Sequence, residues 1–163
     1  EDAAGRGARG RADAALADRS ENAGLAAFVD DWMTQPIFAT QRRLGGTFLA
    51  QQRAERLAND AAGLAAGLRA LGPGAQPPYF DDLPRVAVPT LLVAGELDHA
   101  FVATARDLAS RMPHAEVREI AGAGHAVHLE QAAAFVRAVQ DFLRRAPAPA
   151  RDEYPIPVEE TAT

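Results

Sequence analysis

The chain contains no cysteine and no lysine. Without cysteine there are no disulfides, no thiolate nucleophile and no Cys-ligated metal. Without lysine there is no side-chain amine to form a Schiff base with a carbonyl substrate. Long apolar runs are also missing: no stretch approaches the ~18 residues that a membrane span requires. The opening residues, Glu1-Asp2-Ala3-Ala4-Gly5-Arg6, lack the apolar core of a signal peptide. No membrane association is therefore expected, and the simplest compartment is the cytoplasm. There is no initiator methionine, and a start in mid-polar sequence predicts a piece of something longer.

A surplus of positive charge is equally lacking. Seventeen basic residues, all arginine, stand against 22 acidic ones for a net charge of −5, and they are scattered rather than gathered. Nucleic acid is not an expected partner. An all-arginine cation set suits bidentate recognition of carboxylates, although an Ala/Arg/Gly-rich composition explains it as simply. At 163 residues and 48% hydrophobic content, the chain is long enough for one compact domain and too short for two.

Residues 1–80 read as a helical layer. Ala12 to Asp18, Leu25 to Trp32, Phe48 to Asn59 and Leu64 to Leu71 carry apolar residues at helical spacing among Ala, Leu and Arg. Gly24, Gln35-Pro36, Gly45-Gly46 and Gly72-Pro73-Gly74 punctuate them. The pattern changes at Val86 to Gly95, a short apolar run of the kind expected for a strand covered on both faces of a parallel sheet. Pro89 marks its entry. Phe101 to Met112 reads as a helix and Ala115 to Ile120 as a weaker strand. Leu129 to Leu143 reads as a helix with Leu129, Ala132, Val136, Val139 and Leu143 on one stripe. Residues 81–145 thus give β-α-β-α, with strands that are parallel and joined by a right-handed crossover. The Pro-rich stretch 146–163 cannot build a core and reads as a disordered tail.

Two strands alone leave one sheet edge unpaired, so further strands are expected to cover it. The strands do supply geometry, because the carboxyl ends of parallel strands share one rim where α/β proteins place their sites. Asp98 follows the first strand and His125 the second. Neighbouring strands lie roughly 5 Å apart, so the two side chains can meet across 27 positions of sequence. A carboxylate there fixes the imidazole tautomer and stabilises the imidazolium. Each residue has a plainer reading: Asp98 as the N-cap of the next helix, His125 as a loop histidine bonded to main chain. His128 and Glu130 beside His125 raise a metal site, but no His-Glu-x-x-His pattern is present and none is expected. His99 and His114 read as surface residues. The only serines, Ser20 and Ser110, sit in no Gly-x-Ser-x-Gly turn.

Leu91-Leu92-Val93-Ala94-Gly95-Glu96-Leu97-Asp98 followed by Gly122-Ala123-Gly124-His125-Ala126-Val127-His128-Leu129-Glu130 resembles the acid and histidine loops of the α/β-hydrolase fold. There the triad runs nucleophile, acid, histidine along the chain. The resemblance implies an α/β chain that is the C-terminal part of such a fold: a helical cap, the last two parallel strands and their helices, with the nucleophile and oxyanion hole upstream.

The cap is more specific. Phe28 to Phe38 (Phe-Val-Asp-Asp-Trp-Met-Thr-Gln-Pro-Ile-Phe), Glu55 to Ala65 and Leu68 to Pro77 resemble the 2-succinyl-6-hydroxy-2,4-cyclohexadiene-1-carboxylate synthases of menaquinone biosynthesis, a likeness extending to Leu143. That family eliminates pyruvate from an enolpyruvyl cyclohexene carboxylate, using a triad serine and histidine to remove a ring proton. The resemblance implies a polycarboxylate small-molecule substrate, no cofactor, Asp98 as triad acid and His125 as base. It implies Arg9, Trp32 and Arg56 as substrate-binding residues. Arg9 in a solvated surface cluster and Trp32 in the core of the cap are the alternatives. Where the family often has Lys-Phe after the acid, this chain has Ala100-Phe101. An esterase or carbon-carbon bond hydrolase with the same triad, or a non-catalytic binding module, are the competing functions.

Overall fold

The computed structural model describes residues 3–146, so the tail expected over 146–163 lies, apart from its first residue, outside the described residues. Alanine and arginine are strong helix formers, and α1 (Ala3–Asn22) extends well beyond the 12–18 segment that periodicity predicts. Its three glycines and its lack of an apolar stripe hide it. Its buried positions are Asp13, Ala17 and Ser20, spaced by four and three on one face. These small side chains let α4 (Ala61–Leu71) pack closely, with Ala65 fully buried. At the rim of this pair, Arg69 reaches Asp18 at 2.7 Å and Glu21 at 2.6 Å.

Gly24, at φ 79°, starts α2 (Leu25–Trp32), whose span matches the expected one and which buries Phe28 and Val29. The chain then enters a 3₁₀ helix, Pro36–Leu44, where only a turn was expected; Pro36 occupies its first position, where a missing N–H costs nothing. Next comes α3 (Gly46–Leu57), tied to α2 by a fork from Arg53 to Asp30 at 2.5 and 2.9 Å. Asp60 opens α4 by accepting the Gly63 N–H at 2.6 Å.

A second 3₁₀ helix, Phe80–Arg85, leads to β1 (Thr90–Gly95). The strand starts four residues later than the apolar run, since Val86 still closes the 3₁₀ turn onto Leu83 and Pro89 has no N–H to give the ladder. After α5 (His99–Arg111), β2 (Ala115–Ile120) pairs with β1 in parallel register, Thr90 opposite Ala115 and Gly95 opposite Ile120. Leu92 and Ala94 face α5 with Val102, Ala105 and Val117. Val93 faces the other way, into a cluster with Ile120, Ala123, Val127, Ala134, Phe135 and Ala138. Helices therefore cover both faces, although most of β1 is half-buried because the sheet described has two strands.

The helix expected over 129–143 is broken in two. A single turn, α6 (Val127–Glu130), precedes α7 (Ala132–Arg145), and Gln131 at φ −141° breaks the helix between them. The break rotates α7, so Phe135 and Ala138 meet the core while Val136 and Leu143 are exposed, against the stripe read from sequence. No helix among the described residues is long and apolar enough to cross a membrane.

Candidate active site

The loops after β1 and β2 are stitched together by two main-chain bonds and one side-chain bond. Glu96 N–H donates to Ile120 O at 3.0 Å, Leu97 N–H to Ala123 O at 2.9 Å, and Gly122 N–H to the Glu96 carboxylate at 2.8 Å. Gly95 makes the approach possible: a Cβ there would run into the carbonyls of Ala123 and Gly124. The stitching carries Asp98 and His125 to each other, with Asp98 Oδ2 and His125 Nδ1 2.8 Å apart. Asp98 Oδ1 accepts the Phe101 N–H at 3.3 Å, so the residue also caps α5. One carboxylate thus serves two neighbours, one oxygen facing the imidazole and the other the helix amide. With Nδ1 engaged by the carboxylate, Nε2 is left as the imidazole's proton acceptor. The Asp98 side chain is 13% exposed and that of His125 32%, so the pair is sheltered yet reachable.

Rings surround the imidazole. Phe101 stands edge-on to His125 with centroids 4.7 Å apart, and Phe38 does so at 6.4 Å. Phe38 in turn meets Trp32 at 5.7 Å, and Trp32 stacks on Phe28 at 5.9 Å. Phe38 also lines a cavity of about 170 Å³ together with Met33, Thr34, Gln41, Arg42, Leu49 and Arg56. One side chain thus touches both the histidine and the cavity. The 3₁₀ segment that carries it is held against the histidine loop by Thr40, which fills the space where Gly124 lacks a Cβ.

The site residues expected from sequence divide accordingly. Asp98 and His125 meet, Trp32 joins them through Phe38, and Arg56 enters the adjoining cavity. Arg56 donates to the main-chain oxygen and the Oε1 of Gln52, both at 3.0 Å, and to no carboxylate among the described residues. Arg9 is not among the cavity residues; it is half-exposed on α1 and donates to Asp13 at 3.2 Å. The two serines lie in helices with their hydroxyls turned onto their own main chain, Ser20 onto Ala17 O and Ser110 onto Asp107 O. His99, His114 and His128 are exposed.

Sequence reasoning missed Phe38, Arg42 and Thr40, and it weighed Glu130 only as a metal ligand. The Arg42 guanidinium makes no hydrogen bond or ion pair among the described residues, which sequence cannot reveal. Glu130 carried no such signal: a capping box has its Glu three residues after the N-cap, whereas Glu130 reaches the Ala126 amide from four residues on.

Comparison with known proteins agrees with this geometry. Residues 2–138 match the model of the alpha/beta hydrolase family. A Bacillus subtilis protein provisionally named 2-succinyl-6-hydroxy-2,4-cyclohexadiene-1-carboxylate synthase is 37% identical over 131 residues, 80% of this chain and 48% of the relative. A Serratia proteamaculans protein of the same name is 34% identical over 142 residues, 87% of this chain and 52% of the relative. The structure of MenH from S. aureus superposes with a TM-score of 0.86 at 33% identity, covering 88% of this chain and 54% of that one. A thermophilic esterase from Thermogutta terrifontis shares the fold, with a TM-score of 0.68 at 21% identity over 83% of this chain and 50% of the esterase. The chain spans about half the length of the curated relatives it matches. With an acid and a histidine presented by the ends of adjacent parallel strands, and a family model spanning most of its length, the chain belongs to the alpha/beta hydrolase family.

Proposed function

We propose that the enzyme to which this chain contributes Asp98 and His125 eliminates pyruvate from 2-succinyl-5-enolpyruvyl-6-hydroxy-3-cyclohexene-1-carboxylate, a step of menaquinone biosynthesis. The observation that carries the reading is the Asp98–His125 pair, sheltered beside a cavity whose two arginines, Arg42 and Arg56, have no carboxylate partner among the described residues. An unneutralised guanidinium pair at a small cavity suits an anionic ligand, because each fork can take a carboxylate bidentately. The names carried by the Bacillus and Serratia relatives and the likeness to MenH point the same way.

In this mechanism a serine supplied by the part of the enzyme outside this chain gives its proton to His125 Nε2, and Asp98 stabilises the resulting imidazolium. The serine oxygen removes a ring proton. The electron pair of the C–H bond becomes a ring double bond, and the C–O bond to the side chain breaks. The enolate of pyruvate leaves and takes the proton held on the His125 imidazolium, which gives pyruvate and restores the neutral base. Nothing in the sequence of steps calls for a cofactor. Residues 1–80 act as the cap over residues 81–145 of the catalytic core, Trp32 and Arg56 hold the substrate's polar groups, and Arg9, on α1 of the cap, is a third substrate-binding residue. The substrate is a small polycarboxylate and the setting cytoplasmic, with neither nucleic acid nor membrane as partner.

The test is pyruvate release by the complete reading frame. Arg56→Ala should reduce kcat/KM for the polycarboxylate about 10- to 100-fold, the worth of a hydrogen bond to a charged group, and leave hydrolysis of a neutral ester nearly unchanged. Equal loss on both substrates would instead favour an ester or carbon-carbon bond hydrolase.

A further inference from the structure

Glu130 lies five positions after His125, and its carboxylate straddles it: Oε2 accepts the Gly124 N–H at 2.9 Å and Oε1 accepts the Ala126 N–H at 3.3 Å. These are the amides on either side of the histidine. The ladder of β2 ends at Ile120 and α6 begins only at Val127, so regular structure satisfies neither of them. Both Gly124 and Ala126 are buried, and a buried amide without an acceptor is costly. We infer that Glu130 is a positioning residue for His125, holding the main chain on both sides of it while Asp98 holds the ring. The inference rests on His125 being the base.

The chemistry asks for a carboxylate rather than an amide. Two N–H donors converge on two oxygens, and an ionised carboxylate is acceptor-only. Glutamine, of the same shape, would turn its NH₂ toward one of the donors. Asp98 cannot substitute for this anchor, because it bonds the ring, and the loop's ties to Glu96 and Leu97, at Gly122 and Ala123, lie upstream of the two amides that flank the histidine. Catalytic geometry tolerates roughly 0.5 Å of such drift.

The experiment compares Glu130→Gln, Glu130→Ala and His125→Ala in the complete enzyme. For both Glu130 variants kcat for pyruvate release should fall about 10- to 100-fold, as expected of a small misplacement of a reacting group, with KM little changed. The downfield proton resonance of the His125 Nδ1–H bonded to Asp98 should broaden or disappear, while the melting transition of Glu130→Gln stays cooperative. A merely structural glutamate would alter the melting point and leave the resonance and the kcat of folded enzyme intact, and that result overturns the inference. Amide exchange in the unmutated enzyme needs no variant: Gly124 and Ala126 N–H groups exchanging as fast as unbonded loop amides would also overturn it. His125→Ala separates the two levels. Inactive His125→Ala with fully active Glu130→Gln refutes the role of Glu130 alone; active His125→Ala refutes the base itself.

Discussion

Asp98 divides its two oxygens between the imidazole of His125 and the amide that opens α5. The division makes the two roles separable by experiment. Asparagine is as good an N-cap as aspartate, so Asp98→Asn should leave stability within about 1 kcal/mol of wild type. It cannot hold the correct tautomer or stabilise the imidazolium, and kcat should fall about 10²- to 10⁴-fold, as triads that lose their carboxylate do. Parallel denaturant melts and pyruvate assays check this; retained activity with lost stability would leave only the cap. Thr40 and Gly124 form a second pair at this scale. Threonine is stiff at its branched Cβ, and a methyl at Gly124 would collide with all of it. Gly124→Ala should cost about 1–3 kcal/mol, the usual range for overpacking. Thr40→Ala in the same molecule should recover most of that, which a double-mutant cycle by urea unfolding measures.

Exposed ion pairs bridge the cap helices at the rims of their packed faces. Arg69 spans α4 and α1 through Glu21 and Asp18, and Arg53 spans α3 and α2 through Asp30. Hydrogen bonds from these guanidinium groups hold Glu21 and Asp30 below the usual carboxylate range, and the same bonds raise Arg69 and Arg53. The sign follows from linkage: a carboxylate with a depressed folded pKa adds stability above its unfolded value, near pH 4, and loses it as pH falls through the lower folded value. The helical layer should therefore loosen below about pH 4, earlier than the sheet clusters, which are apolar. High salt at neutral pH should reproduce part of the effect by screening. Amide exchange in α1 and α4 compared with β1 and β2 would read both, and uniform loosening of all four elements would contradict it.

For the whole molecule, the decisive feature is the sheet. Two parallel strands bury little, and the edge of β1 away from β2 has no partner among the described residues. An apolar, half-buried strand with free main-chain donors invites another chain. Expressed alone, these 163 residues should associate at micromolar concentration, as light scattering would show. In the complete reading frame the added strands should abolish the effect. A cooperatively melting monomer of the isolated chain would contradict this. The net charge of −5 opposes association only weakly, since salt screens it.

The parts legible in sequence are those governed by local chemistry. The punctuation by Gly24 and Pro89, the span of α2, the run of β2, and the order of acid before histidine all stand in the structure as read. Asp98 and His125 were readable because each follows a strand, and parallel strands end on the same rim. Other features follow from contacts between segments distant in sequence. The polar α1 has its full length because small residues meet α4, and Phe38 gains meaning only where a 3₁₀ turn lays it between His125 and a cavity. Arg42 and Arg9 look alike in sequence, yet one lines that cavity with no counter-charge among the described residues and the other is matched with Asp13. Periodicity and turn chemistry act over a few residues, so sequence alone determined which segments are helix or strand, though not all their bounds, and that Asp98 and His125 follow the ends of adjacent strands. Which cation stays uncompensated, and which carboxylate steadies the histidine, depends on what lies across a gap, and only the tertiary packing decides that.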